Sequence, residues 1–548
     1  MRNLLLIILA LLLLSSKVQA QLILDNNEKL FVTAKLWGFM KYYHPNVAKG
    51  KFDWDNQLIE ILPSIEQATT KEELSSIYLN WIESLGDVEL CKKCIQLEDK
   101  SEYFNKNFDL SWIFNDKLFT NELSKKLIFI EQNRFQGKHY YVAFNGKPPV
   151  LRITNEKSYP QFDWTNKTLR LLSLFRYWNI IEYFYPHKYQ IDTDWDDVLV
   201  QMLPKFGAPN SEIEYHLAML ELVVKIDDSH GYFTTDNLVI HFGEKQIPAA
   251  FSIIDNKVII NYLYDDSLAQ VNDLKVGDMI TKVENVDVGE LISQRLKYIY
   301  GANNGAKIKY SFNKILNGSS DSIKVEIVRN GQKEVRSLLR YTFDQFHFST
   351  EVRKSWEVMD NNIGYINLGI IDKKDLTQAL EELINTQSMI VDLRGYPKEF
   401  YGYILRNYFG AKNTSIARQI NADLNYPGKY ILTEQNFNKA DPKYKGQVIV
   451  LVNERTQSRA EYMALWLQNG YNVTTIGSRT AGAGGIMIDM DFVGGFNSYF
   501  TSSGIFYPDM SPIQREGVKI DLIVTPTIEG IINGKDEVLD KAIEITLK

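Results

Sequence analysis

Val450-Leu-Val-Asn453-Glu-Arg-Thr-Gln457-Ser458-Arg459-Ala460-Glu461 runs from an apolar strand through a polar turn into a helix. The strand is Gln447 to Val452, and the helix reads from Ser458 to Gln468. A serine at that junction has its hydroxyl at a strand's carboxyl end. It also lies beside unpaired N–H groups and the positive pole of the helix, which suit a developing oxyanion. Serine is equally the favoured N-cap residue. Taken alone, the stretch leaves both readings open.

Strands and helices alternate on either side. Ile363-Gly-Tyr-Ile-Asn-Leu368, Met389-Ile-Val-Asp-Leu393 and Val473-Thr-Thr-Ile476 read as strands, and Lys374 to Asn385 reads as a helix. Such alternation predicts an α/β core with parallel pairs over residues 343–548. Upstream, residues 244–342 change character. Lys257-Val-Ile-Ile-Asn261, Met279-Ile-Thr-Lys-Val283 and Ser322-Ile-Lys-Val-Glu-Ile-Val328 are short β-type runs separated by Gly, Asn and Asp turns. Leu274-Lys-Val-Gly-Asp278, running into the second of these, resembles the strand-turn signature of bacterial PDZ domains. The resemblance implies a β-rich module that takes an extended peptide on a sheet edge or serves as a scaffold. Its small helix is expected within Gly289 to Ile299, and its carboxylate loop at Pro248-Ala-Ala-Phe251.

The first half repeats itself. Residues 36–89 match residues 177–230 at a constant offset of 141 with no gap over 54 positions. Asp53-Trp-Asp55 lies over Asp194-Trp-Asp196, and Leu62-Pro63 over Leu203-Pro204. Apolar and aromatic residues at three- and four-residue steps (Leu172, Phe175, Trp178, Ile181, Phe184) predict a helix from Leu169 to Tyr185 that Pro186 ends. Each copy, 21–96 and 166–243, is therefore a small helical bundle. The second ends in Asp227-Asp228-Ser229-His230, where the first has Gly86-Asp87-Val88-Glu89. The connecting residues 97–165 show no clear periodicity.

Bulk composition sets the frame. A chain of 548 residues needs several cores, and 45% hydrophobic with 24% charged content is ordinary for a globular protein. A net charge of -7 argues against nucleic acid as the partner. Arg2, the apolar run Leu4 to Leu14 and Val18-Gln-Ala20 read as a signal peptide over residues 1–20. The expectation is an exported protein, periplasmic or secreted in a Gram-negative bacterium, with no stable membrane anchor. The only cysteines, Cys91 and Cys94, are too few for a zinc site, and outside the cytoplasm a local disulfide is the expected state. No metal or organic cofactor is implied, and the oligomeric state is not readable.

Five motifs occur in the order known from one superfamily. Gly364-Tyr-Ile366, Ile390-Val-Asp-Leu-Arg-Gly395, the Ser458-Arg-Ala-Glu461 turn, Gly477-Ser-Arg-Thr-Ala-Gly482 and Glu516-Gly-Val-Lys-Ile-Asp521 resemble the tricorn-like and C-terminal-processing peptidases, the S41 serine peptidases. The resemblance covers roughly residues 165–548. It implies a ClpP/crotonase-like core, with Ser458 as nucleophile and peptides or unfolded proteins as substrates. A hydroxyl needs a neighbouring base. One branch of the superfamily uses a downstream lysine, but no lysine stands between Arg459 and Arg515. The tricorn branch implies His230 as base, with Ser229 and Glu516 completing a tetrad. The Arg459 N–H and a donor from the Gly395–Glu399 loop would hold the oxyanion. That loop departs from the family, carrying Lys398 and Glu399 in place of glycines. The alternative it favours is a catalytically degenerate peptide-binding protein. The remaining histidines (His44, His139, His187, His216, His241, His347) sit in no functional motif, and Tyr507 to Pro512 is expected to line the substrate channel. A sugar- or lipid-handling hydrolase has no supporting feature.

Overall fold

A computed structural model describes residues 24–91, 103–104, 106–348 and 354–547. The signal-peptide reading and Cys94 lie outside the described residues. Cys91 is disulfide-bonded.

The helical part holds α1 (Asn26–Tyr43), α2 (Trp54–Gln67) and α3 (Lys71–Ser84), then α4 (Lys167–Phe184), α5 (Trp195–Gly207) and α6 (Glu212–Val224). The bounds of α4 lie 141 residues after those of α1, 26 to 167 and 43 to 184. Each set is pinned by the same device. The indole N–H groups of Trp37 and Trp54 donate to each other's carbonyls at 3.1 Å. Those of Trp178 and Trp195 do the same at 2.8 and 3.1 Å. Buried indoles need a partner for their N–H, and the reciprocal bonds supply it without polar side chains. The sets pack through α1 against α4. Gly38 meets Asn179, whose Oδ1 would lie 1.7 Å from any Cβ at position 38. Asn179 then donates 2.9 Å to the Ala34 carbonyl. Glu156, from the connecting segment, lies between the sets and takes both Lys41 of α1 and Arg176 of α4. Lys41 pairs with Glu156 at 2.6 Å, and Arg176 with Asp55 at 2.7 Å, with both cations buried.

The middle module is a sheet of β1 (Ala249–Ile254), β2 (Lys257–Leu263), β3 (Met279–Val283), β4 (Ser322–Arg329) and β5 (Gln332–Leu339), all antiparallel in that order. Helices α7 (Val288–Arg295) and α8 (Asn304–Tyr310) precede β4. Strand β1 is one of the two edges of this sheet, β5 the other.

The C-terminal part contains the expected α/β layer. Its sheet runs β6 (Trp356–Met359), β7 (Ile363–Asn367), β8 (Ser388–Asp392), β11 (Gln447–Val452), β12 (Val473–Gly477) and β16 (Leu522–Ile523). All pairs are parallel except β6–β7. Helices α9 (Lys373–Glu382), α10 (Arg459–Gln468) and α11 (Glu537–Thr546) complete the layer. A second sheet holds β9 (Ser415–Ala422), β10 (Tyr430–Asn436) and β15 (Ser503–Phe506), beside the hairpin β13 (Met487–Asp491) and β14 (Asn497–Thr501). Ile420, Tyr430, Ile488, Phe500 and Phe506 of these strands belong to the same apolar core as the helical sets. The end of α6 is thereby packed against the hairpin, and Phe233 forms a β-bridge with Ser498. Among the described residues no helix is long and apolar enough to cross a membrane, and no cluster of His, Cys, Asp or Glu has the makings of a metal site.

Candidate active site

The site lies beyond the carboxyl ends of β8 and β11, where open α/β sheets bind ligands. Helix α10 begins at Arg459, one residue after the bound expected, because Ser458 has φ +53° and ψ −110°. A left-handed backbone at a residue other than glycine costs ~1–3 kcal/mol and persists only when its surroundings impose it. Here Glu461 imposes it. Its buried carboxylate accepts the Ser458 N–H at 2.9 Å, the Gly482 and Ala483 N–H groups at 2.7 and 2.9 Å, and the Thr480 hydroxyl at 2.6 Å. Burial pushes the Glu461 carboxyl up, and the four donors oppose it. The motif Glu461 therefore ties the serine turn to the 480–483 loop. Its place three residues after Ser458 was the signal, read as family pattern and not as structure.

Ser458 faces a cavity of about 1000 Å³ lined by aromatic and aliphatic side chains, among them Tyr396, Phe400, Phe437, Ile486 and Ile505. Tyr507–Pro512 does not follow the expectation. Tyr507 is buried, its hydroxyl donating to Gln468 at 2.6 Å, while Ile505 and Ile513 on either side line the cavity. Arg459 contributes twice. Its N–H is the first of the helix, and its guanidinium donates to the carbonyls of Pro397 and Lys398 at 3.1 and 2.6 Å. The Gly395–Glu399 loop is thus held over the helix mouth by backbone contacts that its altered side chains leave free.

His230 follows a turn that closes α6. Asp227 has φ +45°, and its carboxylate takes Lys307 at 2.8 Å and the Asp192 N–H at 2.8 Å. The buried imidazole has Nδ1 2.8 Å from the Thr501 Oγ1. Thr501 Oγ1 in turn donates to Asp228 Oδ1 at 3.0 Å, and Asp228 also accepts the N–H groups of Thr501 and His230. Burial lowers the His230 pKa, Asp228 raises it and Lys309 lowers it.

Two contacts join the serine and histidine segments. The Gln457 Nε2 donates to the Ser229 carbonyl at 3.2 Å, linking the residue before the serine to the residue before the histidine. Gly485 lines the serine's cavity, and a Cβ there would lie 2.5 Å from the Thr501 methyl. Gln457 also accepts from Lys309 at 3.0 Å and from the Tyr310 hydroxyl, so α8 of the middle module reaches the nucleophile turn. Burial pushes Lys309 down to about 8. Nothing in the linear order pointed to Gln457, Lys309 or Thr501.

The structure does not bring the other two tetrad candidates to the imidazole. The Ser229 hydroxyl donates to the Ala481 carbonyl at 2.7 Å and accepts the Ala302 N–H at 2.9 Å, so both bonds serve the backbone. Glu516 is 63% exposed and pairs with Arg479 at 3.0 Å, on the wall of a second cleft of about 1230 Å³ between β1 and the α/β layer. His44 accepts a backbone N–H in a helix cap, and His139 and His187 are buried.

The model of peptidase family S41 matches residues 362–524. The carboxy-terminal processing protease CtpA of Bacillus subtilis (strain 168) is 25% identical over 329 residues, 55% of this chain and 62% of the relative. The match thus spans less than two thirds of that relative's length. Mature CPAF complexed with lactacystin superposes with a TM-score of 0.54 at 14% identity, over 69% of this chain and 98% of that one. Mature CPAF alone gives 0.52 at 13% identity, over 69% and 96%. At such identities these structures speak to the fold. Residues 362–524, which carry the serine turn, thus match peptidase family S41, and the chain is similar to a C-terminal processing protease over just over half its length.

Proposed function

We propose that the chain is an exported serine peptidase that hydrolyses peptide bonds through an acyl-enzyme on Ser458, with His230 as general base. The observation that carries the reading is the strained serine at the mouth of α10, facing a cavity of about 1000 Å³. The imidazole takes the Ser458 Oγ proton as Oγ bonds to the substrate carbonyl carbon. The oxyanion is received by the Arg459 N–H and a donor of the 395–399 loop. Collapse breaks the C–N bond, and the imidazolium gives its proton to the leaving amine. Water, deprotonated by the same imidazole, then releases the acid. The apolar cavity wall suits peptides with aliphatic or aromatic side chains beside the cleaved bond, and Gln419, Asn421, Thr433 and Gln435 offer polar partners to the peptide backbone.

The two helical sets are read as copies, and residues 244–342 as a PDZ-like module. The matched helix bounds and the β1 edge support this. Export rests on the first twenty residues, and a mature chain beginning at Gln21 is the expected product. A fluorophosphonate probe tests the peptidase reading. Labelling lost in Ser458→Ala and in His230→Ala supports it. An intact wild-type chain that takes no label leaves the peptide-holding alternative.

A further inference from the structure

The polar contacts behind His230 form a chain whose direction is fixed by counting protons. Asp228 is almost wholly buried, and as a carboxylate it can only accept. It accepts the Thr501 N–H at 2.7 Å, the His230 N–H at 3.0 Å, the Gln514 amide at 3.2 Å and the Thr501 hydroxyl at 3.0 Å. The Thr501 hydroxyl has one proton, and Asp228 takes it. Its remaining contact, 2.8 Å to His230 Nδ1, must then be one in which the imidazole donates. Nδ1 is therefore the protonated nitrogen, and Nε2 keeps its lone pair. Asp228 is 3.9 Å from Nδ1, too far to hold the ring directly.

We propose that Thr501 and Asp228 are the positioning pair of His230, a hydroxyl and a carboxylate that set its tautomer and orientation in the place the sequence assigned to Ser229 and Glu516. The inference rests on the reading of His230 as the base. Threonine suits the post because its methyl is packed at Gly485, where the lack of a side chain admits it. With χ1 fixed by β-branching, Oγ1 stays between the ring and the carboxylate. When the ring accepts the serine proton, Asp228 faces the new positive charge across one hydroxyl, and no second proton has to move. The charges bearing on the ring are Asp228 from its own turn and Lys309 from α8, which oppose each other.

The experiment compares Thr501→Val, which keeps the shape and removes the relay, with Thr501→Ser and His230→Ala. Each is read as the fluorophosphonate labelling rate per titratable site across pH 5–9. Thr501→Val is expected to label ~10–1000-fold more slowly, with altered pH dependence and little change in substrate KM, and Thr501→Ser to recover to within about threefold. A merely structural role would lower the number of active sites and leave the rate per site and its pH profile alone; that result overturns the relay. If His230→Ala labels like wild type, the base reading itself fails. If His230→Ala is dead while Thr501→Val labels normally, only the relay fails. Should Thr501→Val not fold, the ¹⁵N shifts of His230 in Ser458→Ala protein at pH 8 decide. An Nδ1–H tautomer supports the pair, and an Nε2–H tautomer refutes it.

Discussion

Replacing Gln457 by methionine removes a three-way junction without changing side-chain length. Its Oε1 accepts from Lys309 at 3.0 Å and from the Tyr310 hydroxyl, and its Nε2 donates 3.2 Å to the Ser229 carbonyl. A bond from a charged donor contributes ~1.5–3 kcal/mol and a neutral one ~0.5–1.5. The site is half-buried, so water recovers part of this, and a net loss of about 3 kcal/mol is reasonable for Gln457→Met. The loss falls on the geometry between two segments that this residue joins directly. At ~1.4 kcal/mol per tenfold, 3 kcal/mol corresponds to ~100-fold in rate. A misplacement of ~1 Å in a reacting pair gives a similar factor. The assay is kcat/KM on a fluorogenic peptide with an apolar residue at the scissile bond, beside the fluorophosphonate labelling rate. Both are expected to fall ~100-fold together, because the probe needs the same base. Labelling within about threefold of wild type in a folded Gln457→Met protein would show that serine and histidine are aligned without this junction.

Glu461→Ala strips the acceptor from three backbone N–H groups and one hydroxyl. At ~1–3 kcal/mol per buried orphan the four donors amount to ~4–12 kcal/mol, offset in part because the buried carboxylate's own desolvation is relieved, so a loss of at least about 3 kcal/mol is expected in urea unfolding, together with loss of labelling. Stability should also depend on acid. Burial holds His44, His139 and His187 down to about 4, whereas an unfolded imidazole titrates near ~6.5. The folded pKa is the lower one, so the unfolded chain binds more protons between these values. Stability is full above ~6.5 and falls as pH drops towards 4, by up to ~1.4 kcal/mol per pH unit for each histidine. A flat urea midpoint from pH 7 to pH 5 would contradict this. Trp37→Phe and Trp178→Phe each remove one buried indole hydrogen bond, to the Trp54 and Trp195 carbonyls respectively, together with part of the ring's buried volume. Matching losses of ~1–3 kcal/mol are expected in thermal unfolding, and a large asymmetry would argue that the two pairs are not equivalent devices.

Periodicity alone was enough for much of the architecture. The strand Gln447–Val452, the helix that follows Ser458 and the helix expected over Leu169 to Tyr185 were legible because each depends on neighbours along the chain. The left-handed backbone at Ser458 was not legible, since its cause is the Glu461 carboxylate gathering donors from the 480–483 loop. Nor was the fate of Glu516. Its position before Gly517 matches a motif, yet its side chain is turned to Arg479 at the cleft.

Local order in a sequence specifies turns, caps and amphipathic faces, and so it named a serine and a histidine. Which groups surround them was decided when one apolar core joined the helical sets to the strands of the second sheet. That packing brings Thr501 to the imidazole over a separation of 271 residues. A buried carboxylate must find donors wherever the fold supplies them, and no spacing along the chain records that need.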